Sequence, residues 1–335
     1  VQDMFVTEQD NIHHSEGNVG IHTNMVMDAM IALPEFKELS LEEKKILFLG
    51  SLFHDVEKRS TTRIEDGRIV SPGHAKKGEV TTRNILYRDF DCNFSLREQI
   101  CKVVRHHGLP LWIFDKQSPI KSIVDASLNS KNYFLYLIAK ADILGRFCLD
   151  KEEMLYRIEL FKEYANEYDL LYNSKEFFNE HTKSIFFEQD DPYIEYVPFD
   201  NTNGEMIMMC GLPGAGKDYF IEKNLNTPVI SLDKLRQEYK IKPGDKYGTG
   251  FIIQMAKEKA RVFLRDKKSF VWNATNLTKQ TREQVIGLAR EYNFRVKIIY
   301  LEVPYKVLKE QNKNREYPIP EKILEKFIDK LELPN

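Results

Sequence analysis

Residues 211–220, Gly-Leu-Pro-Gly-Ala-Gly-Lys-Asp-Tyr-Phe, carry the spacing G-x-x-x-x-G-K. Gly211, Gly214 and Gly216 free the backbone to aim N–H groups at a phosphate, and Lys217 adds a point charge for the outer phosphates. With Ala215 and Tyr219 they make a nucleotide contact set, for which ATP is the expected ligand. Asp218 stands where a Ser or Thr hydroxyl normally follows the lysine and ligates Mg2+. Mg2+ is a hard ion that also accepts a carboxylate, so a working Mg2+-dependent site is expected rather than a degenerate loop.

Later stretches offer what phosphoryl transfer requires. "VISLDKLR" puts Asp233 just past a short apolar run, with Arg236 one helical turn on. An aspartate there can take the proton of an attacking hydroxyl, and an arginine can hold a phosphate of the acceptor. "VWNATN" adds Asn273 and Asn276 as polar substrate contacts, with Arg282 nearby. "KEQNKNREYPIP" reads as a lid whose Arg315 and Lys313 close over the triphosphate.

A second inventory lies earlier. Seven of the eight histidines precede residue 108, and the order His22, His54-Asp55, His74, His106-His107, Asp142 supplies imidazole and carboxylate donors for divalent transition metals. A single helical histidine is more often a core or surface residue; the set is what is specific. Asp55 is the candidate bridging ligand, with His22, His54, His74, His106 and Asp142 closing the shell. Lys58 and Arg146 follow Asp55 and Asp142 at helical spacing and would meet a metal-held phosphate. His107, as a contact to phosphate or a second metal, and His14, in "HHSEG", are weaker candidates.

The elements that must position these residues fall into two patterns. The first ~170 residues read almost entirely as helices, in "SLEEKKILFLGSLFHD", "AKKGEVTTRNILYRDF", "KNYFLYLIAKADILGR" and "KEEMLYRIELFKEYANEY". Ser40 and Glu43 form a capping-box start. "EQDDPYIEYVPFDNTNG" marks a linker ending near Asn203. Beyond it "EMIMMC", "PVISL", "SFVWNA" and "RVKIIYLE" alternate with helical stretches, which implies a parallel sheet with helices on both faces. The expected fold is multidomain: an all-α domain over 1–190, a linker to about 203, and an α/β phosphate-loop domain over 204–335.

Composition agrees with this division. From Gly204 onward 25 Lys+Arg face 17 Asp+Glu, whereas the preceding residues hold 24 against 34. An acidic, histidine-rich half before a basic half favours metal binding first and polyanion binding second. No run approaches the ~18 apolar residues of a membrane span. The first residues lack the pattern of a signal peptide. Four cysteines with no C-x-x-C pair point to reduced thiols, hence a cytoplasmic protein.

The early His, His-Asp doublet and late Asp, at His22, His54-Asp55 and Asp142, resemble the HD-domain phosphohydrolase superfamily, and His74 and His106 match the extra histidines of its two-metal members. From Gly204 to about Leu331, Lys217, Asp233, Arg236 and Arg315 resemble the polynucleotide 5′-kinase family, as phosphate-loop lysine, general base, acceptor-phosphate ligand and lid arginine. Together the chain is similar to bifunctional bacterial HD-phosphohydrolase and polynucleotide-kinase proteins of RNA end healing. That resemblance implies hydrolysis of 2′,3′-cyclic, 2′- or 3′-phosphate ends and ATP-dependent phosphorylation of a 5′-OH. It also implies RNA or DNA ends as partners, an RNA ligase in the same pathway, Mg2+ in the kinase, and two ions such as Mn2+, Ni2+, Co2+ or Zn2+ in the first half. Two other readings stay open: a nucleotide hydrolase joined to a mononucleotide or small-molecule kinase, and a nucleotide-gated regulator.

Overall fold

The computed structural model describes residues 2–10, 12–242, 245–315 and 318–334. The chain divides into two compact units between Val197 and Pro198. The first unit contains α1 (Val19–Ala32), α2 (Pro34–Glu38), α3 (Leu41–Phe53), α4 (Lys58–Thr61), β1 (Arg63–Glu65), β2 (Arg68–Val70), α5 (His74–Asp89), α6 (Phe94–His106), α7 (Leu109–Trp112), α8 (Pro119–Ser127), α9 (Asn132–Leu144), α10 (Lys151–Glu167) and α11 (Glu180–Glu188). The Ser40–Glu43 capping box forms at the start of α3. The hairpin β1–β2 interrupts the helical pattern, because Asp66 and Gly67 both take positive φ and allow a two-residue turn.

Helix α9 is buried on nearly every side, from Phe134 to Ile143, and α1, α3, α6 and α10 pack around it. Two glycines permit the close crossings that gather the functional residues. A Cβ on Gly50 of α3 would lie 2.6 Å from Val103 of α6, so only glycine lets the end of α3 approach the end of α6. A Cβ on Gly145, just past α9, would lie 2.7 Å from the backbone nitrogen of Val26, which lets α1 lie against the end of α9. Gly145 also ends α9 before Arg146.

The second unit contains β3 (Glu205–Cys210), α12 (Lys217–Asn224), β4 (Val229–Ser231), α13 (Leu232–Glu238), α14 (Lys246–Arg265), β5 (Phe270–Asn273), α15 (Lys279–Glu291), β6 (Arg295–Tyr300), α16 (Tyr305–Lys313) and α17 (Glu321–Asp329). Its strands pair in the order β4-β5-β3-β6, all parallel. Alternation along β3 sends Met206 and Met208 toward a core with α14 and α15, and Ile207 and Met209 toward Ile221 of α12. Helices therefore cover both faces, and the carboxyl ends of the strands are left to build a site. Among the described residues no helix is long and apolar enough to cross a membrane.

Candidate active sites

In the first unit the crossings bring together the end of α3, the first turn of α1, the end of α9, the start of α5 and the end of α6. Asp55, buried at the turn after α3, faces two groups of donors. Its Oδ2 lies 3.2 Å from His54 Nε2 and 3.8 Å from His22 Nε2, and His22 Nε2 is 3.0 Å from Asp142 Oδ1. Its Oδ1 lies 3.3 Å from His74 Nε2 and 3.9 Å from His107 Nε2. The ligand atoms of His22, His54 and Asp142 fall within 4.8 Å of one another, as do those of Asp55, His74 and His107.

The imidazoles are oriented by one repeated device. His54 Nδ1 lies 2.7 Å from the Ser51 carbonyl, His74 Nδ1 2.7 Å from that of Ser71, and His107 Nδ1 2.8 Å from that of Val104. A carbonyl oxygen only accepts, so in each ring Nδ1 carries a hydrogen, and the neutral ring then has its lone pair on Nε2, toward the cluster. Both ring nitrogens of His22, His54 Nε2 and Asp55 Oδ1 are buried without an aligned hydrogen bond. Polar atoms so placed are costly unless a further partner satisfies them. The donor chemistry, imidazole nitrogen with carboxylate oxygen, fits divalent transition ions.

Charge reinforces the arrangement. Burial resists ionisation of Asp55, but Lys58, His54 and His74 outweigh it and hold its carboxyl well below the usual range. Asp142 is likewise held low against burial, chiefly by Arg146 and His22. Burial opposes a charge on His54, yet Asp55 and Asp142 raise its pKa. Lys58 Nζ is 2.8 Å from Asp55 Oδ2, and Arg146 clasps Asp142 with both Nε and Nη2, although α9 has ended two residues earlier. All four line a cavity of about 630 Å3.

The histidine doublet is where placement departs from expectation. His107, not His106, joins Asp55 and His74, while His106 Nε2 turns toward Asp125 at 3.9 Å. Adjacent side chains at a helix end point in different directions, so one of the pair alone can face the cluster. Burial, aided by Lys102 and Arg105, lowers His106 to about 3. Burial also lowers His107 to about 3, with His54 and His74 adding to it.

Glu16 was not anticipated. Its Oε1 lies 2.9 Å from Nδ1 of both His14 and His22, and its Oε2 accepts the Phe147 N–H at 3.1 Å. It sits in a loop of no helical or strand periodicity, so spacing carried no sign of it. His14, lowered to about 4 mainly by burial, packs edge-on to His22 and also lines the cavity.

In the second unit the loop from Gly211 to Gly216 follows the central strand β3. Its three glycines all take positive φ. At Gly211 a Cβ would lie 2.3 Å from the Leu301 carbonyl oxygen. Gly216 caps α12, whose first turn holds Lys217, Asp218 and the exposed Tyr219. Lys217 Nζ donates to the carbonyls of Gly211 and Leu212, each at 2.9 Å. Burial lowers its pKa to about 8, with the Arg315 charge contributing.

Asn273, the last residue of β5, donates to Asp218 Oδ1 at 2.6 Å. Asp233, just past β4, pairs with Arg236 at 2.8 Å and leaves 71% of its side chain exposed. Thus the ends of β3, β4 and β5 gather Lys217, Asp218, Asp233, Arg236 and Asn273. The structure does not bring Asn276 and Arg282 to them. Asn276 donates to the Met209 carbonyl at 2.7 Å, and buried Arg282 is spent on the carbonyls of Asn276, Leu277, Glu332 and Leu333. Both are fastenings of the fold. Lys313 is exposed at the end of α16; of the expected lid, Glu316 and Tyr317 lie outside the described residues.

A parallel sheet with this loop at its carboxyl edge defines a kinase-like P-loop domain. Residues 206–334 match the family model described as AAA domain. Over 137 residues the chain is 25% identical to L-seryl-tRNA(Sec) kinase of Methanococcus maripaludis, covering 38% of this chain and 53% of that protein. The chain thus spans about half the length of this curated relative. A chain of a solved Pnkp1/Rnl/Hen1 complex is similar at 18% identity and a TM-score of 0.29, over 32% of this chain and 38% of that one. So slight a structural likeness carries no argument about function.

Proposed function

We propose that the chain processes both kinds of polynucleotide end: the first unit hydrolyses 2′,3′-cyclic, 2′- or 3′-phosphate ends, and the second transfers the γ-phosphate of ATP to a 5′-OH. The observation that supports the first half is Asp55, whose two oxygens face separate donor groups while Lys58 reaches it beside an open cavity. His22, His54, Asp142, Asp55, His74 and His107 would hold two divalent ions, which when bound supply charge to polarise a phosphoryl oxygen and acidify water. Lys58 and Arg146, already aligned on the donor carboxylates, offer their remaining N–H donors to phosphoryl oxygens. His106 belongs to the cavity wall in this reading. The resemblance to HD-domain phosphohydrolases points the same way.

In the second unit Gly211, Gly214, Ala215, Gly216 and Lys217 cradle the phosphates of ATP, with Asp218 as the Mg2+-side carboxylate held in place by Asn273. Asp233 accepts the proton of the acceptor hydroxyl, Arg236 orients it and contacts the acceptor, and Arg315 with Lys313 faces the transferred charge. The net positive balance of this unit suits a polyanionic acceptor.

An RNA with 5′-OH and 2′,3′-cyclic phosphate ends, incubated with ATP and with Mn2+, Ni2+, Co2+, Zn2+ or Mg2+ in turn, tests both halves. The expected result is opening or loss of the terminal phosphate with a transition ion, and 5′ labelling with Mg2+. A 3′ end unchanged with every ion would overturn the first half. Labelling of nucleosides as fast as of oligonucleotides would replace the polynucleotide acceptor by a small one.

A further inference from the structure

The cavity beside Asp55 is larger and more varied than a phosphate alone requires. Its volume, about 630 Å3, is that of a site for a whole small molecule. Besides the metal donors and cations its lining includes Leu109, Leu111, Trp112 and Met154. Leu109 and Leu111 are buried, whereas Trp112, at the end of the same short α7, leaves 46% of its surface exposed. A large aromatic side chain left open in a cavity gains most by burial against a ligand.

The indole is also held in place. The Arg157 guanidinium lies 5.4 Å from its ring centroid. Arg157 is in turn fixed by Glu153 at 3.2 Å and Asp115 at 3.4 Å. A cation over one side of the ring costs the remaining surface nothing and keeps the plane fixed. Ser122 and Asp125, one turn apart on α8, add hydrogen-bonding groups to the same lining.

We propose that this wall is a nucleobase subsite with Trp112 as its stacking platform, so that the first unit acts on nucleotide phosphoesters and reads the base next to the scissile phosphate. The inference rests on the phosphohydrolase reading of the same cavity and names its substrate class. A phosphorylated ribose carrying a flat heteroaromatic base matches a lining that has phosphate-directed cations and ion donors in one part and an aromatic, hydrogen-bonding wall in another. Stacking of a base on an aromatic ring is worth roughly tenfold to a hundredfold in affinity.

The chain has two tryptophans, and Trp272 is buried in the core of the second unit, so emission that responds to a ligand in this cavity reports Trp112. Full-length protein is titrated with adenosine 3′-monophosphate, with an oligonucleotide ending in a 3′-phosphate, and with glycerol 2-phosphate, which has no base. Both nucleotide ligands should quench the emission and glycerol 2-phosphate should not. Trp112→Ala should raise KM for the nucleotide esters ten- to a hundredfold with kcat unchanged, and Trp112→Phe, which keeps a ring, should restore most of it and lose the quench. Tighter binding of the oligonucleotide assigns the subsite to a polynucleotide end, and equal binding assigns it to a mononucleotide. No quench, or an unchanged KM in Trp112→Ala, overturns the subsite while phosphate release leaves the hydrolase standing. Quenching without phosphate release from any ester keeps the subsite and overturns the hydrolase.

Discussion

Replacing Glu16 should weaken metal binding by the first unit without touching a single proposed ligand. One oxygen of Glu16 stands 2.9 Å from Nδ1 of His22 and of His14, the other takes the Phe147 N–H, and the side chain is 1% exposed. Burial works against its charge, but the His14 hydrogen bond, the adjoining His22 ring and the Phe147 N–H prevail and keep it ionised far into acid. Its partner His22 meets Asp142 through Nε2 at 3.0 Å. Without Glu16 the Asp142 carboxylate draws the single ring hydrogen onto Nε2, the nitrogen that must be bare to act as a donor. Loss of an outer partner that orients a metal-binding histidine costs about 10–100-fold in metal affinity. Glu16→Ala should therefore lower Mn2+ or Ni2+ affinity toward the upper end of that range, and Glu16→Gln, which keeps one acceptor, toward the lower. Calorimetric titration of full-length protein measures it, and 5′ phosphorylation should stay normal as a check on folding. An unchanged metal affinity in a folded Glu16→Ala protein would refute the orienting role.

Asp218→Thr should retain substantial kinase activity, whereas Asp218→Ala should raise the Mg2+ concentration needed; an alanine variant matching wild type in a Mg2+ titration would remove the residue from the metal shell. Asp233→Asn should lower 5′ phosphorylation on the order of a hundredfold while ATP binding, followed by a fluorescent nucleotide, persists; normal turnover would reassign the base. The sign of the Lys217 shift sets a pH dependence. Burial lowers its pKa to about 8, so the empty loop carries the charge below that pH and loses it above, while bound triphosphate restores it. ATP affinity should thus decline as pH rises through about 8, with proton uptake on binding at pH 8.5; calorimetry in buffers of different ionisation enthalpy that finds no uptake contradicts this.

The alternation of apolar runs with helical stretches after residue 204 made the parallel sheet and the place of the phosphate loop legible, since both follow from local periodicity. Asp233 and Asn273 were legible for the same reason, each sitting at the end of a strand visible in the sequence. Asn276 and Arg282 were not, because their surroundings are carbonyls of distant segments, among them Glu332 and Leu333, that no spacing discloses. In the first unit the donor types and their order could be read, but the choice between His106 and His107 depends on the last residues of α6. Glu16 reaches His22 through a loop whose path is set by the contact with Phe147, 131 residues away. The hairpin at 63–70 escaped because its strands are three residues each, though Asp66-Gly67 was its signature.

The central claim is that two independent centres in one chain act on different chemical groups. Asp55→Ala and Lys217→Ala, each in full-length protein, should be compared on one RNA bearing 5′-OH and 2′,3′-cyclic phosphate ends, with Mn2+, Mg2+ and ATP present. Asp55→Ala should abolish processing of the 3′ end and leave 5′ phosphorylation nearly intact, and Lys217→Ala should do the reverse. Loss of both activities together in either folded variant, or loss of neither in Asp55→Ala, would contradict the account.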